Sequence, residues 1–258
     1  MPTILVKNRS IHYQEINRGG GPTILMIHGM LSNLSVYYFH IAPLLGRHFH
    51  VVVFDLKSHG FSDRALDGYD LDSMSGEVVE LMEALSVRSA YLVGYSYGAL
   101  ISLKMASRFP DKVRKLAVIE GPDPSDGEPL AKMAAYSKEG LLHYITNYGD
   151  AAARRMGRRQ VERHHRLYEF LFKETTMQED MYREREFFYG EELSSIRQDT
   201  LLIYGKESEC LAAGYRLDSL LPNSSLVMMR GDHNLPVQAP GDISRELMEF
   251  MREPVFAK

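Results

Sequence analysis

The sequence predicts an α/β fold: a mostly parallel sheet flanked by helices, with a helical insertion in its second half. Three observations carry that prediction. Short apolar runs alternate with stretches of helical spacing from residue 23 to residue 119. The alternation stops between about residues 121 and 189, where helical spacing dominates, and resumes at Thr200. A Gly-rich pentapeptide, Gly94-Tyr95-Ser96-Tyr97-Gly98, stands where a strand gives way to a helix. The break reads as an insertion into one sheet domain, so residues 1–120 and 190–258 form the core and residues 121–189 a helical cap.

The elements follow in order. Ile4–Val6 and Ile11–Gln14 alternate apolar and polar around Asn8-Arg9-Ser10, which predicts a hairpin. Thr23–Ile27 is a buried-strand run ending at His28-Gly29, and Val51–Phe54 is a second, closed by Asp55. Met74, Val78, Leu81, Met82 and Leu85 lie at helical spacing, so Ser73–Leu85 is a helix. Ala90–Val93 reads as a strand, Ala99–Phe109 as a helix stopped by Pro110, and Val113–Ile119 as a strand. After the insertion come a strand at Thr200–Tyr204, a helix near Tyr215–Leu221, a strand at Ser225–Met229 and a closing helix at Ile243–Arg252.

Composition narrows the function classes. At 258 residues, 45% hydrophobic and 25% charged, the chain matches soluble globular averages. A formal net charge of -4 gives no footprint for nucleic acid. Cys210 is the one cysteine, so no internal disulfide forms; with no secretory leader at Met1–Lys7, a cytoplasmic location is expected. No run of residues approaches the ~20 apolar positions that a membrane span needs.

Chemistry concentrates on the pentapeptide. A serine on a sharp strand-to-helix turn has its hydroxyl exposed, and flanking glycines relieve the crowding. Ser96 is therefore the candidate nucleophile. A hydroxyl needs a base to remove its proton, and His233, in Gly231-Asp232-His233-Asn234 after the last strand, is the best placed. His28 and His59 read as loop-shaping residues. Negative charge developing on an attacked carbonyl needs backbone N–H donors, which Met30 and Tyr97 would supply.

On these residues the chain resembles the α/β-hydrolase superfamily over nearly its whole length. His28-Gly29-Met30 resembles the family's oxyanion turn. Asp55-Leu56-Lys57-Ser58-His59-Gly60-Phe61-Ser62 resembles its D-x-x-G-x-G-x-S loop, with Ser58 replacing the first glycine. Gly94–Gly98 matches the nucleophile turn and Gly231-Asp232-His233 the segment carrying the base. The resemblance implies a serine nucleophile and the chain order nucleophile, acid, histidine.

The resemblance departs at the acid. The family usually places an aspartate three residues beyond the glycine that follows the strand at Leu201–Tyr204; here Gly205 leads to Ser208. A serine supplies no charge to stabilise an imidazolium. Glu120, Glu207 and Glu209 are the alternatives. Glu120 is favoured, because a carboxylate at a strand end is held more rigidly than one on a loop, and one branch of haloalkane dehalogenases resembles this arrangement. That activity itself is disfavoured, since those enzymes use an aspartate nucleophile and a Trp halide site, and this chain has no Trp.

The cap carries apolar stripes, Leu141–Tyr148 and Leu167–Phe172, that pack as core and line an apolar pocket. Arg154–Arg159 and Arg163–Arg166 read first as solvated helix faces; the alternative is docking of an acyl carrier protein or a phosphopantetheine phosphate. The expectation is a serine hydrolase cleaving an ester or thioester through an acyl-enzyme, without cofactor or metal. The alternatives are a lyase, cyclase or acyltransferase on the same fold, and a non-catalytic ligand-binding protein.

Overall fold

The computed structural model describes residues 2–126, 158–189 and 191–252. Eight strands form one sheet in the order β1-β2-β4-β3-β5-β6-β7-β8. β1 (Thr3–Val6) and β2 (Arg9–Ile16) are the antiparallel hairpin. Its two-residue turn, Lys7-Asn8, has φ of 43° and 68°, the left-handed pair that matches the twist of the flanking strands. β2 also runs antiparallel to β4 (His50–Phe54). From β4 onward through β3 (Thr23–Ile27), β5 (Ala90–Tyr95), β6 (Val113–Ile119), β7 (Thr200–Gly205) and β8 (Ser224–Met229), all neighbours are parallel.

A sheet buried on both faces needs apolar residues at odd and even positions alike. Leu25 and Ile27, Val52 and Phe54, Leu116 and Val118 point to one core, with Leu202 and Tyr204. Ile24 and Met26, Val51 and Val53, Ala117 and Ile119 point to the other. Each fully buried aliphatic side chain contributes about 1.5–3 kcal/mol. The first core is covered by α3 (Leu71–Ala84), α4 (Tyr97–Arg108) and α8 (Leu211–Leu220). The second is covered by α1 (Ser35–Tyr38), α2 (Ala42–Leu45), α9 (Leu235–Gln238) and α10 (Pro240–Arg252).

Every strand and long helix anticipated outside the insertion is present. The sequence signal missed α1, α2 and α9, each four residues long; one helical turn carries no readable period.

Of the insertion, the structure describes α5 (Arg158–Lys173), α6 (Met177–Arg183), a 3-10 turn at Glu184–Tyr189 and, after it, α7 (Glu191–Ser195). The apolar stripe at 141–148 and the basic residues at 154–157 lie outside the described residues. Phe170, Leu171, Met177 and Phe187 join the first core. The helices are tied to the loop ahead of α3 by donation of Thr176 N to Leu66 O (2.9 Å), of Tyr69 N to Asp180 (3.0 Å) and of Leu71 N to Glu184 (2.8 Å).

Strand order reverses between β3 and its neighbours β4 and β5. Crevices in open parallel sheets form beyond the carboxyl ends of the strands at such a reversal. The loops after β3, β5, β6 and β8 all open there.

Candidate active site

Ser96 sits between β5 and α4 with φ 54° and ψ −121°, a conformation that costs a residue with a side chain of order 1–3 kcal/mol. The turn holds because Ser96 N donates to Ile119 O (2.9 Å) and Ser96 O accepts from Ala99 N (2.9 Å). Glycines make it possible. A Cβ on Gly94 would stand 2.5 Å from Ser102 Oγ and 2.6 Å from Ala99 Cα, and one on Gly98 would strike the carbonyl oxygens of Ile27 and His28. A Cβ on Gly29 would lie 2.8 Å from Ser96 Cβ, so the loop after β3 runs directly against Ser96.

His233 follows β8 on a loop fixed from several sides. Tyr95 OH donates to His233 O (3.0 Å). Asp232 Oδ1 accepts from Asn234 N (2.8 Å) and Gln238 Nε2 (2.9 Å). Glu207 accepts from Gly231 N (2.6 Å). The imidazole then spans the site, with Nε2 3.0 Å from Ser96 Oγ and Nδ1 3.3 Å from Glu120 Oε2. Because Nδ1 faces a carboxylate it carries the proton, leaving Nε2 to accept from the serine hydroxyl.

Of the three candidate carboxylates, Glu120 is the one against His233. Its backbone is left-handed (φ 54°) and its side chain fully buried. Oε1 accepts from Gly205 N (2.5 Å) and Oε2 from the Ser208 hydroxyl. Cys210 N donates to Ser208 Oγ (3.0 Å), which turns the hydroxyl proton toward Glu120. Ser208, at the position where the resemblance would put the acid, thus donates to an acid standing on the neighbouring strand end. Glu207 is engaged at Gly231, and Glu209 lines the cavity wall.

Cys210 is an addition that sequence reading missed: its sulfur lies 3.5 Å from His233 Nδ1. Burial pulls the pKa of His233 down, but its side-chain hydrogen bonds to Cys210 and to the buried Glu120 carboxylate act the other way and hold the imidazole above its ordinary value. Among the described residues, Glu120, Cys210 and His233 also form a group of possible metal ligands, their atoms all within 4.8 Å. The same atoms make the hydrogen bonds just described.

The loop after β3 is stapled by two buried histidines. His28 Nδ1 donates to Gly29 O (2.7 Å) while its Nε2 accepts from Leu56 N (3.0 Å). His59 Nδ1 donates to Lys57 O (2.8 Å) while its Nε2 accepts from Leu31 N (3.3 Å). Each ring donates once and accepts once, so both are neutral; burial lowers the pKa of His28 and takes that of His59 to about 3. Asp55 completes the frame, accepting from Leu34 N (2.8 Å) and Phe61 N (3.0 Å). Ser58, where the loop pattern calls for glycine, has φ 65° and offsets the strain by bonding Tyr69 OH (2.7 Å) and Ala65 N (2.9 Å). Among the described residues, no partner accepts from the N–H groups of Met30 and Tyr97, the two donors anticipated for an oxyanion.

Ser96, His233, Met30 and Tyr97 open into a cavity of about 1280 Å³. Leu167 and Met181 from α5 and α6 form part of its wall.

A family model described as alpha/beta hydrolase fold matches residues 22–185. An uncharacterized hydrolase of Bacillus subtilis, YugF, is 26% identical over 264 residues, covering 94% of each chain. The dihydrolipoyllysine-residue acetyltransferase component of the acetoin cleaving system of Pseudomonas putida is 33% identical over 114 residues, 44% of this chain and 30% of that protein. The chain therefore spans less than a third of that relative. The crystal structure of the enol-lactonase from Burkholderia xenovorans LB400 superimposes with a TM-score of 0.76 at 20% identity, covering 98% of this chain and 100% of that one. Eight strands in this order, the strained serine and the family match lead to one conclusion: the chain belongs to the alpha/beta hydrolase fold family.

Proposed function

We propose that the chain is a serine hydrolase that cleaves an ester or thioester through a covalent acyl-enzyme. The hydrogen-bonded relay from Ser96 Oγ through His233 to Glu120 (3.0 and 3.3 Å) carries this reading. Ser96 Oγ attacks the substrate carbonyl and passes its proton to His233 Nε2. The oxyanion lies between the N–H groups of Met30 and Tyr97. Glu120 stabilises the imidazolium, which protonates the leaving alcohol or thiol. A water then attacks the acyl-enzyme by the same route in reverse. The α5–α6 insertion, which borders the cavity, acts as a lid that excludes bulk water. A carboxylate beside His233 supports this reading over a non-catalytic one, because it can stabilise the imidazolium.

A fluorophosphonate probe is expected to label the chain at Ser96, and p-nitrophenyl esters of graded acyl length to be turned over with a measurable burst. An unlabelled, inactive but folded protein would overturn the proposal.

The raised pKa of His233 sets a pH dependence. The base must be neutral to accept the serine proton, and below its pKa it is protonated. Activity therefore rises with pH, and the acid limb of kcat/KM falls above the 6.5 of an unperturbed histidine. A limb at or below that value would contradict the assignment.

A further inference from the structure

The cavity carries charge that the relay does not use. Arg163, Arg166 and Leu167 lie at helical spacing on one face of α5 and line it, and Arg64 lines it from the loop after β4. Arg64 lays its guanidinium over the Phe170 ring (4.3 Å), one turn along the same helix face from Arg166. Arginines from two segments thus share one cavity wall. Among the described residues none of the three forms an ion pair, although Lys57, Lys104, Lys115 and Arg216 elsewhere all do.

The carboxylates that share the cavity are already engaged. Asp55 accepts from Leu34 and Phe61, Asp123 pairs with Arg216 (3.4 Å), Glu184 accepts from Leu71, and Glu209 also has a partner. His164, also on this wall, is held neutral by burial and adds no further positive charge. Among the described residues no carboxylate pairs with these three arginines, and a planar guanidinium presents paired donors that fit a carboxylate or phosphate. The volume exceeds what a small ester fills, leaving room for a remote group whose binding energy orients the carbonyl at Ser96.

We propose that Arg64, Arg163 and Arg166 form an anion subsite, so that the ester or thioester attacked by Ser96 carries a carboxylate or phosphate on the part held beneath α5. This rests on the hydrolase reading for the identity of the reacting group, but the subsite itself does not need the reaction.

The test compares two pairs of compounds. One pair is mono-p-nitrophenyl glutarate and its uncharged counterpart, p-nitrophenyl 4-carbamoylbutanoate. The other is S-butyryl-4′-phosphopantetheine and S-butyrylpantetheine. In at least one pair the anion is expected to be favoured about tenfold or more in kcat/KM at low ionic strength, chiefly through KM. The ratio should shrink in about 0.5 M salt and collapse toward unity in Arg64→Gln/Arg163→Gln/Arg166→Gln. A preference in the first pair assigns the charge to the acyl group; in the second, to a phosphopantetheine carrier. Ratios near unity in both pairs, or a ratio that survives the triple substitution, overturn the subsite. Calorimetric titration of Ser96→Ala with the same pairs reads the subsite without turnover, so its failure and that of the serine mechanism are told apart.

Discussion

Ser96→Ala is expected to lower ester turnover by about 10⁴–10⁶-fold and abolish fluorophosphonate labelling. The residual rate would come from the oxyanion donors and binding alone. A loss of that size must be separated from misfolding, and the backbone supplies the control. At φ 54° Ser96 occupies a conformation that glycine adopts freely. Ser96→Gly removes the same hydroxyl while relieving strain, so it is expected to be as inactive as Ser96→Ala but more resistant to urea, by about 1 kcal/mol. Turnover that survives either substitution would sink the nucleophile assignment. Chemistry and stability should move in opposite directions at this one position.

Glu120→Gln carries the second large effect, about 10³–10⁴-fold in kcat. The amide removes the charge that stabilises the imidazolium and, with one oxygen where the carboxylate had two, faces an NH2 group to either Gly205 N or the Ser208 hydroxyl. Without the carboxylate the pKa of His233 drops, so the acid limb of the residual activity moves to lower pH. Ser208 offers a sharper version. Its Oγ already bonds the carboxylate that orients His233, so Ser208→Asp in the Glu120→Gln background puts a carboxylate on the next strand end. That double variant is expected to recover at least about tenfold of the lost rate. In the native background the same Ser208→Asp places two carboxylates together and is expected to impair the enzyme. Full activity in Glu120→Gln, or no rescue by the double variant, would remove Glu120 from the relay.

Much of this was legible in the sequence because the physics is local. Apolar runs such as Val113–Ile119 can only be buried, and Gly94–Gly98 needs the conformation that a sharp strand-to-helix turn imposes. The pairing of Ser96 with His233 was legible from their places directly after two strands of one sheet, β5 and β8. Glu120 was harder: a pattern keyed to position points at Ser208, and only the adjacency of β6 and β7 makes the two sites one place in space. The Cys210 sulfur beside Nδ1, and the His28 and His59 staples, depend on where loops from distant parts of the chain meet. No periodicity in the sequence records that. The short helices α1, α2 and α9 escaped for want of length.

The close approach at Gly29, Gly94 and Gly98 has an evolutionary consequence. The spacing between Ser96 and the N–H groups of Met30 and Tyr97 is set where these glycines let neighbouring loops approach closely, leaving no room for a side chain on them to vary. The cavity walls, by contrast, are side chains on loops and on inserted helices. Substitutions can therefore accumulate in what the cavity admits while the reacting atoms keep their spacing. A lineage built this way can change its substrate many times over without relearning its chemistry.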